Sequence, residues 1–450
     1  VTALWEGEEL AIAAGSRDPG FAATGISIDT RSLVPGDLFV ALKADRDGHD
    51  FVANAFAKGA AGALVSRDLD GPNLLHVDDT LAALTRLGEF ARARAAAKIV
   101  AVTGSVGKTT TKEMLRRVLR AFGTVHAADA SYNNHIGVPL TLARLPRDAE
   151  FAVLEIGMNH PGEISPLARL ARPHVAIVTG VERVHLGLMG SEEAIAEEKA
   201  TIFRGLVAGG TAILPRDCAF LSVLARGVPA GEKRLTFGGR DLSDARLIAA
   251  DSDAASCDVV ANVAGTVVRF RLAAPGRHMA LNAMAVLAAC QALGLDLERA
   301  AAALDGFAPL AGRGARRGIT VADGTALLLD ESYNASGASI RAACAVLALQ
   351  PGRHVAVLGD ILELGEDAED EHLALRDDVA AAADLVFVCG PMMGEMFDTL
   401  PAAKQGARAP DAAALAPLVA GALADGDAVL VKGSYGSRMR DLIAVLDGQA

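Results

Sequence analysis

KIVAVTGSVGKTTTKEMLRRVL, residues 98–119, decides the fold. Its apolar run at 99–102 predicts a buried strand. Gly104 and Gly107 break that strand. Lys108, Thr109 and Thr110 then open a helix whose apolar face is Met114, Leu115, Val118 and Leu119. Strand, glycine loop, lysine, hydroxyl and helix make a phosphate cradle. The glycines let backbone N–H groups approach phosphate oxygens, and the helix N-terminus adds partial positive charge. The lysine reaches the outer phosphates, and the first hydroxyl after it can hold Mg2+. The spacing is G-x-x-G-K-T-T rather than G-x-x-x-x-G-K-[ST], because Val102 stands where the first glycine would be. The candidate ATP-binding set is Gly104, Ser105, Val106, Gly107, Lys108, Thr109 and Thr110. An ordinary glycine turn with a surface lysine is the alternative. It leaves unexplained why Lys108, Thr109 and Thr110 share the first helical turn.

A chain of 450 residues is too long for one core and suggests about three domains at ~150 residues each. Its 43 basic and 55 acidic side chains leave a net charge of −12, and no run of Lys or Arg occurs. Nucleic acid and anionic membrane surfaces are therefore not expected partners. The five cysteines are widely spaced with no C-x-x-C pair, which argues against a disulfide framework or a structural zinc site. A reducing cytoplasm fits. No basic-then-apolar leader and no apolar run of about 18 residues is present, so neither a signal peptide nor a membrane span is expected. A monomer is expected.

Outward from the cradle, residues 1–78 read as a small α/β unit, with strands around Ile26–Ile28, 38–42 and 63–65, a helix at 51–59, and polar loops at Asp29, Thr30, Arg31 and at 45–50. Residues 79–311 alternate helix and strand, starting with a helix at 80–95 and continuing with strands at 151–156, 175–181 and 211–214. Such alternation predicts a mostly parallel sheet whose ligands sit beyond the strands' carboxyl ends. Residues 235–272 are β-rich and read as a side hairpin; 277–293 reads as an alanine-rich buried helix. From 312 to 450 the pattern restarts as a second Rossmann-like domain, with Gly312, Arg313 and Gly314 as the hinge.

Several side chains outside the loop carry chemistry. Glu155 ends the strand FAVLEIG beside the phosphate loop, which suits a Mg2+ ligand; a solvated strand-end acid is the alternative. In SEEAIAEEKATIF, Ser191 can cap a helix on which Ile195, Lys199, Ile202, Phe203 and Leu206 share a face. Lys199 on that apolar face must snorkel out, find an anion, lose its proton or be modified. A lysine of low pKa can react with CO2 to give a carbamate, which ligates metal. His185, on a loop after a strand, could be a second ligand, although a lone histidine usually is not one. Asn133 and Asn134 suit contacts to substrate oxygens or an ordinary Asx turn. Strand ends at 330–334, 358–360 and 431–434 place three polar clusters on one rim.

Together these residues resemble the Mur ligase family, the ATP-dependent amide ligases that build the peptidoglycan stem peptide. VTGSVGKTTTKEM, LEIGMNHPGEI, HLGLMGSEEAIAEEKATIF and GRHMALNAMA occur in the family's order. DESYNASGAS, VLGDILELGE and VLVKGSYGSRM are similar to signatures of the member that adds D-alanyl-D-alanine to UDP-N-acetylmuramoyl-tripeptide. NNHIGVPLTL matches that member too, and no D-N-P-R motif of a diaminopimelate-adding ligase is present. ISIDTRSLVPGDLFVAL and DGHDFVANAFAKGA resemble the UDP-substrate domain. The resemblance implies an α/β chain of three domains: UDP-substrate domain, central ATPase-like sheet and Rossmann-like ligase domain. It implies Lys108 on the ATP phosphates, Thr109 and Glu155 on Mg2+, and a carbamylated Lys199 with His185 and Glu155 at a second Mg2+. Asn282 would face the adenine, Arg313 the phosphates and Glu331 the ribose. Asp29, Thr30, Arg31, Asn133, Asn134, Tyr333 and Asn334 would meet substrate. Met279, Glu331 and Ser336 depart from the residues usual in the family. Addition of a single amino acid, a folylpolyglutamate-synthase-like activity and an ATP-binding switch without ligase chemistry stand as alternatives.

Overall fold

The strand expected at 99–102 runs Lys98–Thr103 inside a nine-stranded sheet in the computed structural model, which describes residues 2–17, 20–129 and 131–448. Alternate side chains of a strand go to opposite faces. Val100 and Val102 join Met114, Leu115, Val118 and Leu119 of the loop helix, Lys108–Arg120, in one core. Ile99 and Ala101 join Leu154, Ile195, Ile202 and Phe203 in another. Cover on both faces is why the strand reads as a continuous apolar run. Each fully buried Val or Leu contributes roughly 1.5–3 kcal/mol.

Across this sheet the order is Thr266–Leu272, Cys257–Val263, Ala245–Ser252, Lys233–Gly238, Thr211–Pro215, Val175–Val178, Lys98–Thr103, Phe151–Glu155, Val125–Ala127. Neighbours are parallel except for the two pairings at the Thr266–Leu272 edge. From Lys98–Thr103 the chain builds two strands on one side, then crosses to Val175–Val178 on the other. That reversal opens a crevice at the strands' carboxyl ends. Register places Val102 beside Glu155 and Thr103 beside Val178. The glycine loop, Glu155 and Thr179 therefore emerge together.

The segment 235–272 is not a side hairpin. Lys233 pairs with Thr211 and Phe237 with Ala245, so these strands extend the central sheet. One face of them, with Val259, Ala261, Val268 and Phe270, shares a core with the buried helix Arg277–Ala292. The helix expected across 191–206 is α-helical only over Glu192–Ala200 and tightens into a 3-10 turn at Thr201–Gly205. There the chain presses on a neighbour: a Cβ on Gly205 would stand 2.1 Å from the Ala168 carbonyl oxygen. The strand expected at 175–181 ends at Val178, because Thr179 turns toward the phosphate loop.

Residues near the N-terminus form four parallel strands, Gly25–Ser27, Asp37–Val40, Gly62–Val65 and Leu74–His76. Their core holds Trp5 and Leu10 and continues into Leu84 and Leu87 of helix Thr80–Arg94 and Leu140 and Ala143 of helix Gly137–Ala143. Trp5 Nε1 donates to the Ala143 carbonyl at 2.9 Å, and the Arg94 guanidinium lies 4.0 Å from its ring. A third sheet orders Ala315–Val321, Gly324–Glu331, Ala428–Lys432, His354–Gly359, Leu385–Cys389, Gln405–Ala409; its first pairing is antiparallel and the rest are parallel. Glu331 and Lys432 face each other in register at its carboxyl edge. All five cysteines are free thiols. No helix among the described residues is long and apolar enough to cross a membrane.

Candidate active site

Two glycines shape the loop. Gly104 has φ 147° and Gly107 φ 83°, both in the region that favours glycine. Neither has room for a Cβ: at Gly104 it would lie 1.9 Å from Thr179 Oγ1, and at Gly107 2.5 Å from Asn282 Oδ1. The neighbouring strand end holds the loop. Ser105 N–H donates to Gly180 O at 3.0 Å, Ser105 Oγ–H donates to Glu182 O at 3.0 Å, and Thr179 Oγ1–H donates to Val106 O. Lys108 Nζ reaches back to the carbonyls of Gly104 and Ser105 at 2.7 and 3.2 Å. Burial lowers the Lys108 pKa, Glu155 opposes this and Arg313 adds to it. Thr109 and Thr110 lie on the first turn, Thr109 buried and Thr110 half-buried.

Glu155 receives two donors. Thr109 Oγ1 donates to Oε2 at 2.8 Å, and Asn133 Nδ2 donates to Oε1 at 2.9 Å. Asn134 is the Asx turn instead: its Oδ1 accepts from Ile136 and Gly137 N–H at 3.1 and 2.9 Å. Arg313, from the far side, donates to Ser131 Oγ at 3.2 Å, and Ser131 Oγ lies 3.5 Å from Thr109 Oγ1. A buried hydroxyl and a buried carboxylate at the mouth of a phosphate loop suit Mg2+. That ion takes oxygen ligands, few of them from protein and the others from phosphate and water. No group of three or more His, Cys, Asp or Glu among the described residues forms a cage of its own.

Lys199 does not snorkel. It is 3 % exposed on the helix capped by Ser191, whose Oγ accepts from Ala194 N–H at 3.1 Å. Its amine makes no hydrogen bond or ion pair among the described residues. Burial drives its pKa well below the ordinary value, repulsion from Lys108 adds to this, and Glu198 opposes it. Glu198 is itself occupied by the N–H groups of Gly162 and Ile164, both at 2.9 Å. His185 sits in the left-handed region, φ 61°, and its Nδ1 is bonded to Glu363 Oε2. Burial lowers its pKa, Glu363 opposes this, and Lys108 and Lys199 both lower it. His185, Lys108 and Lys199 thus stand within electrostatic reach of one another at one end of the loop.

The rim of the third sheet closes the other side. Arg313 stacks 3.9 Å from the centre of the Tyr333 ring. The expected hinge is tied to the strand end: Gly312 N–H donates to Asp330 Oδ2 and Gly314 N–H to Asp330 O, both at 2.8 Å. Glu331 pairs with Lys432 Nζ at 3.2 Å, and the same ammonium donates to the Asn334 carbonyl at 3.1 Å. Asn282, on the buried helix, lies against Gly107. Asp29 holds the Arg31 guanidinium at 2.6 Å, which keeps its carboxyl below the usual range. Thr30 O accepts from Lys58 Nζ at 2.7 Å. Arg31 lies within electrostatic reach of Tyr132, next to Asn133. Sequence reasoning put Thr179 and Lys432 at strand ends without giving either a role, and it missed Glu363 as a partner of His185. Lys432 carried a signal, as a lysine at the end of a buried strand; Thr179 and Glu363 carried only their places in strand-end loops.

A nucleotide cradle at the switch point of a parallel sheet, faced by the rim of a second sheet, defines a class. The Mur ligase middle domain matches residues 102–290, and the Mur ligase glutamate ligase domain matches 316–435. The chain belongs to the Mur ligase family. Within it, the chain is 38% identical over 373 residues to the UDP-N-acetylmuramoyl-tripeptide--D-alanyl-D-alanine ligase of Escherichia coli K12, covering 79% of each chain. It is also similar to a crystal structure of MurF from Acinetobacter baumannii, with TM-score 0.87, 32% identity and 99% of each chain covered. A MurF ligase structure from Thermotoga maritima in complex with ADP aligns with TM-score 0.79 at 26% identity, covering 94% of this chain and 97% of that one.

Proposed function

We propose that this chain is the ATP-dependent, ADP-forming ligase that joins D-alanyl-D-alanine to UDP-N-acetylmuramoyl-tripeptide, giving the pentapeptide of peptidoglycan synthesis. The observation that carries the reading is the grouping of Lys108, Thr109 and Glu155 at the loop with the buried, unpartnered amine of Lys199 beside them. The tripeptide's terminal carboxylate attacks the γ-phosphate, giving an acyl phosphate and ADP. The dipeptide's amine then attacks the acyl carbon, and inorganic phosphate leaves. Negative charge crowds together in both steps. Lys108 and the loop N–H groups neutralise it in place, with no reorganisation at the moment of reaction.

Mg2+, when bound, would supply further charge neutralisation on the phosphate oxygens. Thr109 and Glu155 would hold one ion. His185, Glu155 and a carbamylated Lys199 would hold another; burial without a partner favours the neutral amine that reacts with CO2. Asn282 and Glu331 would face the nucleoside, and Arg313 the phosphates. Asp29, Thr30 and Arg31 would meet the UDP substrate, with Asn133, Asn134, Tyr333 and Asn334 nearer the reacting ends. The three sheets support a division of labour over residues 1–78, 79–311 and 312–450. Every one of these residues lies in one chain, so a monomer suffices. ATP and a UDP-linked substrate place the work in the cytoplasm.

The test is phosphate release from ATP with UDP-N-acetylmuramoyl-tripeptide, comparing D-alanyl-D-alanine with single amino acids. Turnover with the dipeptide alone is expected. Turnover with an amino acid and none with the dipeptide overturns the acceptor assignment.

A further inference from the structure

The bond between His185 and Glu363 joins two sheets. His185 follows the central strand Val175–Val178, and Glu363 follows His354–Gly359 of the third sheet. The contact is not a chance meeting of two long side chains. Gly187 N–H donates to the Glu363 carbonyl at 2.9 Å. The backbones run so close that a Cβ on Gly187 would stand 2.9 Å from Gly365 N. Arg183 pairs with Glu371 at 2.7 Å just beyond. Both bonded residues also sit in left-handed backbone, φ 61° for His185 and 66° for Glu363. Residues with a Cβ rarely adopt it, and it persists where the surroundings over-determine it.

We propose that Glu363 is a positioning residue: its carboxylate fixes the His185 ring so that the imidazole presents a free Nε2 to the phosphate end of the site. A carboxylate only accepts hydrogen bonds, so a neutral imidazole beside it carries its proton on Nδ1. Nε2 is then left with its lone pair, and the carboxylate raises its basicity. Lys108 and Lys199 lie within electrostatic reach of the His185 ring, which puts the ring beside the loop. Glu363 belongs to the third sheet's side, so the histidine is oriented only while that side is docked. This inference rests on the ligase reading in taking His185 as a working residue of the site.

The experiment uses the full chain with ADP, labelled with 15N-histidine. Wild type, Glu363→Gln and Glu363→Ala are compared, and His185→Gln identifies the resonance. In wild type, His185 is expected as the Nδ1–H tautomer. Glu363→Ala is expected to shift it toward Nε2–H, the form favoured by imidazole in water. It should lower kcat about 10- to 100-fold, the usual cost of losing such an outer partner. KM for ATP and the melting temperature should stay near wild type, since the Glu363 side chain is half-exposed. Glu363→Gln keeps an acceptor oxygen and should recover most of the loss. Should Glu363→Ala melt early, Glu363→Asn replaces it, being suited to left-handed backbone and shorter in reach.

An unchanged tautomer in Glu363→Ala overturns the proposal. So does an unchanged kcat, or a Gln variant as impaired as the Ala one. If wild type turns over with neither the dipeptide nor an amino acid, the ligase reading fails instead, and the tautomer comparison still decides the role of Glu363.

Discussion

The two ends of the site are built differently. The loop end is local: Gly104 to Thr109 are contiguous, and their partners Glu155 and Thr179 lie at the ends of the adjacent strands. The rim end is assembled across the chain, with Arg313 reaching Ser131 and Glu363 reaching His185. A local site is held by its own sheet whether or not the rest of the chain is docked. An assembled one exists only while the two sheets stay together. On the proposed reading the loop end cradles nucleotide phosphate by itself, and the rim end adds Arg313 to the phosphates and completes the reacting geometry.

The sharpest way to break this contrast is at Lys108. Lys108→Met should cut turnover roughly 100- to 1000-fold, as loss of one preorganised charge contact does, with the melting temperature little changed. Phosphate release checks it, and a loss under tenfold would place the charge elsewhere. Next is Lys432→Met, which leaves Glu331 beside an apolar chain. Breaking a buried pair this way costs about 3 kcal/mol, read as a lower urea midpoint, and KM for ATP should rise. Arg313→Ala tests the assembled end alone: KM for ATP should rise about tenfold, roughly 1.4 kcal/mol, with stability intact.

Smaller effects sharpen the picture. His174 Nδ1 accepts from Ile99 N–H at 3.0 Å, so it must be unprotonated to hold the start of the loop strand. Burial pushes its pKa to about 4, with Lys98 and Arg92 adding to the shift. The unfolded chain, near 6.5, takes the proton first. Stability from this contact is therefore full above pH 6.5 and is lost as pH falls from 6.5 toward 4. Melting curves over that window should show a slope that His174→Asn flattens. Smallest is Arg183→Ala: its exposed pair with Glu371 should cost under about 1 kcal/mol, and less at high salt.

What the sequence revealed follows the same division. The phosphate loop was legible because its residues adjoin and each has a local reason to be there. Helical spacing made the apolar setting of Lys199 legible, but pattern alone favoured snorkelling, and only the fold shows the amine buried. Glu363 was not legible, since its partner lies 178 positions away and only docking brings them together. The Gly107–Asn282 contact was hidden for the same reason. Among elements, Ala315–Val321 and Gln405–Ala409 went unread because edge strands exposed on one side lack an apolar run. The strands at 235–272 were seen, but sequence alternation does not say which sheet they join.

Trp5 is the chain's single tryptophan. It is fully buried, bonded to Ala143 and covered by Arg94, at the seam where the first sheet's core merges with the central helices. The molecule thus carries one intrinsic fluorophore at one joint. Its emission should be blue-shifted in the native state and redden when that seam opens. Movement of the third sheet leaves it dark to change. An unlabelled protein therefore reports loss of its first joint by colour alone, undisturbed by motion at its second.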